Sequence, residues 1–310
     1  MKKQKKIFAM SKIKYPAISF LTGSVCVIIS LLLIKQHRSD LKKNDGFSVG
    51  QIYSSFKPTE NWNAEVNSKI STQELSSILS KEFFYLGKGH QSFVFENKAD
   101  QIVIKFYKFP SEMRSFAFLA HPLSGLKKKR KEIIRYNLDK YHKTKESHKL
   151  AFNNFFKESK LLSAQLSKTL DCPYEITIVD RIGNKYKVLL KNTHFLIQKK
   201  GSLLFDQLDK LLIESRIEDI KEIISNTVDF MQKRALGRII DLDPAIEKNF
   251  GLIAMLPFQL DTGRLAYNLT EPTKEEAYQE ALHLTAPIKE WVISHAPSLL
   301  EYYTGLFTEL

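Results

Sequence analysis

Asp241, Asp243, Asn249 and Asp261 lie close together in the stretch Arg238–Leu265, RIIDLDPAIEKNFGLIAMLPFQLDTGRL. Asn249 and Asp261 flank two apolar runs, Gly251–Met255 and Phe258–Leu260, which read as a β-hairpin turned at Leu256–Pro257. A hairpin returns its ends to one place, so an amide oxygen and a carboxylate converge, with a further Asp nearby. Hard oxygen ligands of this kind suit Mg²⁺, which keeps waters and phosphate oxygens in its remaining positions. The chemistry such a cluster serves is phosphoryl transfer. Asp, Asn, Pro and Gly also form turns and cap strands with no ligand at all, and this stretch alone leaves both readings open.

A phosphate-handling site needs elements to hold it, and these come earlier in the chain. Ser71-Thr-Gln-Glu74 is a capping-box pattern opening a helix whose Leu75, Ile78 and Leu79 share a face. Phe83–Glu96 then reads as two strands around the turn Gly87-Lys-Gly-His-Gln-Ser92, where Gly87 and Gly89 let backbone N–H groups approach phosphate oxygens. A third strand, Ile102–Tyr107, carries Lys105 between apolar neighbours, a partly buried cation that needs an anionic partner.

Gly87-x-Gly89-x-x-Ser92-x-Val94, Val103-Ile-Lys105, Asp241-x-x-Pro244 with Asn249, and Asp261-x-Gly263 resemble, in chain order, the motifs of the protein-kinase-like superfamily. Ser92 replaces the family's third glycine, Ile239-Ile240 replace its His-Arg, and Thr262 stands where Phe is usual. The resemblance covers roughly residues 80–265 and implies an α+β, protein-kinase-like two-lobe fold, with a five-stranded antiparallel sheet in the first lobe and a short, mostly helical second lobe. It implies ATP and Mg²⁺ as cofactors. Gly87, Gly89, Ser92, Val94 and Lys105 would hold the nucleotide, and Asn249 and Asp261 the metal.

The acceptor's proton would go to Asp241, by alignment on Asp-x-x-Pro, or to Asp243, by distance from Asn249; both stay open. The glutamate that should pair with Lys105 is assigned to Glu158, in the apolar helical pattern Leu150–Leu166, with Glu132 as the alternative. Strands at Tyr174–Val179, Tyr186–Leu190 and His194–Lys199 complete the small lobe, and Gln198–Gly201 would receive adenine on backbone groups. Helices are expected at Leu203–Ile213, Ile217–Lys233 and in three segments of the tail after Thr273. That tail has no Ala-Pro-Glu and no extended activation segment, so a peptide acceptor is not implied.

The 310 residues, 43% hydrophobic and 26% charged, suffice for a sizeable core. A net charge of +13 favours anionic partners, and the run Lys127–Lys131 is either an anion-binding patch or the solvated face of an inserted helix. Cys26 and Cys172, far apart in sequence, imply no disulfide framework. The organisation expected is a basic flank (1–14), an uncharged 20-residue membrane-spanning helix (15–34), a linker (35–70), a first lobe (71–200) with a basic insertion (110–149), and a second lobe (201–310). An uncleaved anchor fits this run better than a signal peptide, because no small-x-small cleavage site follows it. Lysines flank both ends, so sidedness is not set; ATP use requires residues 35–310 to face the cytoplasm or a host cytosol. The function expected is a membrane-anchored, ATP-dependent phosphotransferase acting on a hydroxyl acceptor, a protein or a small molecule or glycan. The alternative is a catalytically inactive kinase-like module that binds a nucleotide or a partner.

Overall fold

The computed structural model describes residues 15–54, 67–109, 124–167 and 172–307; side chains are described from Ile28 in the first helix and from Glu132 in the helix opening at Ser124. Helix α1 (Tyr15–Lys43) is followed by a 3₁₀ turn at Val49–Ile52. Next come β1 (Asn67–Ser68), α2 (Thr72–Leu79), β2 (Glu82–Lys88), β3 (Ser92–Asn97), β4 (Ile102–Tyr107), the long α3 (Ser124–Asn154), the single turn α4 (Phe156–Ser159) and β5 (Leu161–Gln165). β6 (Glu175–Val179), β7 (Lys185–Leu189), β8 (Phe195–Lys199) and β9 (Ser202–Leu203) lead into α5 (Leu204–Ile213) and α6 (Ile217–Leu236). The chain closes with β10 (Ile239–Asp241), α7 (Ile246–Asn249), β11 (Phe250–Ile253), β12 (Leu256–Gln259), β13 (Leu265–Tyr267), α8 (Lys274–Leu284), α9 (Ala286–His295) and α10 (Leu300–Gly305).

The chain divides into two compact units, Met1–Ser48 and Val49–Leu310. In the first, α1 ends where Asp45 and Gly46 turn left-handed (φ 53° and 79°), and Gly46 N–H closes on the Leu41 carbonyl at 2.6 Å. Residues 35–43 are therefore helix, where a linker was expected. Among the described residues no helix is long and apolar enough to cross a membrane. That finding corrects the expected membrane-spanning helix over 15–34, and with it the single-pass membrane placement. The side chains of 15–27 lie outside the described residues.

In the second unit, β-branched and aromatic runs build an eight-stranded sheet of order β1-β5-β8-β4-β3-β2-β6-β7. The expected five-stranded antiparallel sheet is thereby corrected to a mixed one. The run β5-β8-β4-β3-β2 is antiparallel throughout, but β6 joins β2 in parallel and brings β7 with it. β4 lies inside the sheet between β3 and β8, which is why its side chains are buried on both faces. A second correction concerns Leu150–Leu166. The helix stops at Asn154, Lys160 turns left-handed (φ 55°), and Leu161–Gln165 continues as a strand. A short apolar run at this spacing fits either period.

The helical part has its own core. α6 places Ile220, Ile223, Ile224 and Met231 in one buried core with residues of α5, α8 and α9. Each such side chain stabilises the fold by about 1.5–3 kcal/mol. The expected hairpin is present, but its turn is corrected. β11 and β12 pair from Phe250↔Gln259 to Ile253↔Leu256, so the turn residues are Ala254 and Met255, both left-handed (φ 48° and 66°). Pro257 lies within β12, an edge strand where its missing N–H is tolerated.

Candidate functional site

A cleft of about 2240 Å³ opens between the sheet and the helical part of the second unit. Its upper wall is the β2–β3 turn and β4, its back is α3, and its floor is the segment from Asp241 to Tyr267. Of the residues singled out above, Gly87, Gly89, Ser92, Val94, Lys105, Asp241, Asp243, Asn249 and Asp261 all line it, and so do Gln198–Gly201. Glu158 does not line it.

The β2–β3 turn is closed by Gly89 N–H to the Ser92 carbonyl (2.9 Å), and Lys108 Nζ donates to the Gly89 carbonyl at 2.6 Å. A side chain grown at Gly87 would meet nothing within 4 Å, and one at Gly89 only Ser92 Oγ at 3.6 Å. Packing does not require glycine at either place. By contrast, a Cβ on Gly251 would lie 2.6 Å from the Phe258 ring, so that glycine is needed to pack β11 on its neighbour. What the two turn glycines keep clear is space above the cleft.

Lys105 projects from β4 into this space and donates to the Leu260 carbonyl at 2.7 Å, a contact spanning 155 positions of sequence. Burial lowers the pKa of its ammonium, and the charge of Asp261 works against that lowering. Among the described residues no carboxylate forms an ion pair with it, as Glu158 was expected to. Glu158 sits on the one-turn α4, and Glu132 is exposed on α3. The cause is the strand at Leu161–Gln165: the helix facing Lys105 is α3, and the face it presents carries Thr144, Ser147 and His148.

Those α3 residues are tied to the cleft floor and to the sheet. Ser147 Oγ donates to the Thr262 carbonyl (2.6 Å) and accepts from Leu265 N–H (2.5 Å). His148 Nδ1 is hydrogen-bonded to the Tyr107 hydroxyl, and Tyr141 Oη to His194 Nδ1 at 2.6 Å. Burial pushes the Tyr107 hydroxyl well above its ordinary range and takes His148 down to about 4, with Asp261 opposing the second shift and Lys105 adding to it. The imidazole is therefore neutral near pH 7.

On the floor, Leu260 N–H (2.7 Å) and Asp261 N–H (3.3 Å) both donate to the Asn249 carbonyl, which brings the two ends of the hairpin together. Asn249 Nδ2 donates to the Asp243 carbonyl at 2.5 Å, orienting the amide so that its oxygen is left for another partner. Asp261 Oδ1 accepts from Gly263 N–H (2.8 Å).

The two neighbouring aspartates have opposite environments. The Asp241 side chain is 2% exposed, accepts from Gln259 Nε2 (2.8 Å) and lies 3.6 Å from Arg234 Nη1. Its burial raises the carboxyl pKa, while Asp243 N–H, Arg234 and Gln259 pull it back. The Asp243 side chain is 54% exposed, with Arg264 Nη1 at 3.9 Å. Asp241 Oδ1 also accepts from Asp243 N–H (2.9 Å), so the buried carboxylate sets the backbone that presents the open one.

Sequence reasoning missed Tyr107, His148, Arg234 and Gln259. Arg234 carried a usable signal, a cation on the apolar side of α6 close to Met231 and Ala235, both buried. His148 carried none, because it sits in a polar stretch without periodicity.

Among the described residues, no group of three or more His, Cys, Asp and Glu side chains is placed to hold a metal ion. Asn249 and Asp261 each bring one oxygen-bearing side chain to the cleft, fewer than the three such groups a protein-only metal site needs. The basic run Lys127–Lys131 falls in the first turns of α3, where side chains lie outside the described residues. No family model matches the chain, and no curated protein matches it.

Proposed function

We propose that the second unit is an ATP-dependent phosphotransferase related to the protein-kinase-like superfamily. The observation that carries this reading is the Lys105–Leu260 hydrogen bond. It joins the strand lysine to the residue preceding Asp261, at one cleft that is also lined by the open Gly87–Gly89 turn and by Asn249.

In this reading the backbone of the β2–β3 turn and Lys105 hold the triphosphate, and the strand-to-helix segment Gln198–Gly201 takes the base. Mg²⁺ held by Asn249 and Asp261 would neutralise phosphate charge. The acceptor hydroxyl lies against Asp243, whose open carboxylate orients it and takes its proton as the hydroxyl oxygen attacks the γ-phosphorus. The bond from that phosphorus to the bridging oxygen breaks and ADP leaves. Asp241, locked on Arg234 and Gln259, is a positioning residue. It faces the interior too closely to meet an acceptor. Positioning and fixed charges supply most of the acceleration in such a site.

A second reading is a nucleotide-binding module without transfer. It is favoured by Lys105 having no ion-paired carboxylate among the described residues, its ammonium being held by a backbone carbonyl instead. Incubation of the full chain with Mg-ATP and a panel of hydroxyl-bearing acceptors separates the two. Transfer predicts acceptor-dependent ADP release that Asp243→Asn abolishes, whereas tight binding with no release across the panel supports the module.

A further inference from the structure

We propose that His148 is a nucleotide-binding residue, its Nε2–H donating to a phosphate oxygen of the bound nucleoside triphosphate where an ion-paired glutamate was expected to serve only Lys105. The inference rests on the nucleotide-site reading above and names one further residue of that site.

The geometry begins on α3. His148 is half-buried and lines the cleft together with Lys105, Tyr107 and Gly263. Its Nδ1 is occupied by the Tyr107 hydroxyl. We take the phenol O–H as the donor to Nδ1, which puts the ring proton of the neutral imidazole on Nε2. That second nitrogen has no hydrogen-bond partner among the described residues, and it is not enclosed by protein either. It faces the turn after Asp261: a side chain grown from Gly263 would come within 3.6 Å of Nε2.

The same helix is fastened to the sheet by a second pair of reversed sense. Tyr141 comes from α3 and His194 from the residue before β8, whereas His148 comes from α3 and Tyr107 from β4. The two pairs differ in one respect that matters for function. His194 is 2% exposed and packed among aromatic rings, while His148 opens on the cleft. A fastening needs only the enclosed arrangement. An imidazole N–H left open on a cleft of about 2240 Å³ that Lys105 and Asp261 also line is a donor without its acceptor. Phosphate oxygens are that acceptor, since an N–H can be shared with them while Lys105 supplies the charge.

Titration calorimetry with Mg-ATP on the full chain tests this, using His148→Phe, His148→Gln and Lys105→Ala. His148→Phe should weaken Mg-ATP by about 10-fold or more, and His148→Gln, which keeps an N–H donor near the Nε2 position, should stay within about 3-fold of wild type. The ¹⁵N spectrum of the unliganded protein should place the His148 proton on Nε2. Wild-type affinity in His148→Phe, equal loss in the Gln and Phe variants, or a proton on Nδ1 would each overturn the assignment. If wild type fails to bind Mg-ATP, or Lys105→Ala binds it unchanged, the nucleotide-site reading itself falls and takes His148 with it. Failure confined to the His148 variants removes His148 alone.

Discussion

Two of the cations drawn into the second unit, Arg234 and Lys105, are treated differently by the fold. Arg234, on α6, lies 3.6 Å from Asp241 and 3.8 Å from Glu280, donates to Gln259 Oε1 at 2.9 Å and has 1% of its side chain exposed. Burial lowers its pKa while both carboxylates hold it up, so its charge is matched from within the protein. Lys105, on β4, receives one backbone carbonyl and the field of an exposed Asp261 across an open cleft. A cation answered by the fold is holding the fold. Lys105 is left facing a cavity, and this contrast supports proposing a ligand at Lys105 and none at Arg234.

Removing Arg234 should do the greatest damage. Arg234→Met strands the buried Asp241 carboxylate and should cost about 3–5 kcal/mol of unfolding free energy, read by denaturant titration. A loss below about 1 kcal/mol would mean that the pair is not the matched structural charge described above. The two aspartates extend the comparison. Asp243→Asn should lower phosphate transfer by about 100-fold or more while leaving Mg-ATP affinity in place, because the change touches an exposed carboxylate; comparable transfer in the variant would remove Asp243 from the chemistry.

Lys105→Ala should weaken Mg-ATP by about 10-fold or more yet change unfolding free energy by less than about 1 kcal/mol. A large stability loss instead would make Lys105 a second Arg234. The smallest effect concerns a third inward-facing cation. Burial brings Lys145 down to about 8, so between that value and the ordinary lysine range the unfolded chain binds a proton that the native one does not. Stability should rise with pH across this window, and the advantage of Lys145→Met over wild type should shrink from about pH 8 toward pH 10.5; an advantage constant with pH would show that Lys145 keeps its proton in the native state.

The site's polar anchors were legible in the sequence because each was a conspicuous exception to its surroundings: a lysine inside Ile-Val-Ile-Lys-Phe-Tyr, and Asn249 and Asp261 bracketing apolar runs. What failed depended on contacts across the chain. Pro257 suggested a turn, yet the edge position of β12 accommodates it and the backbone reverses at Ala254–Met255 instead. Leu161–Gln165 followed helical spacing, but pairing with β8 overrode the period and with it removed Glu158 from Lys105. His148 became visible only once Tyr107, 41 positions away, was seen to hold its ring. The distinction between Asp241 and Asp243 likewise needed Arg234 and Gln259 in place around one of them.

The central claim is that the cleft floor binds a magnesium-complexed triphosphate through Asn249 and Asp261. Calorimetric titration of the full chain with ATP, with and without Mg²⁺, in wild type and Asp261→Asn, tests it most directly. The account predicts binding that strengthens with Mg²⁺ in wild type and loses that dependence in Asp261→Asn. ATP binding that ignores both the ion and the substitution, or no ATP binding at all, would contradict it.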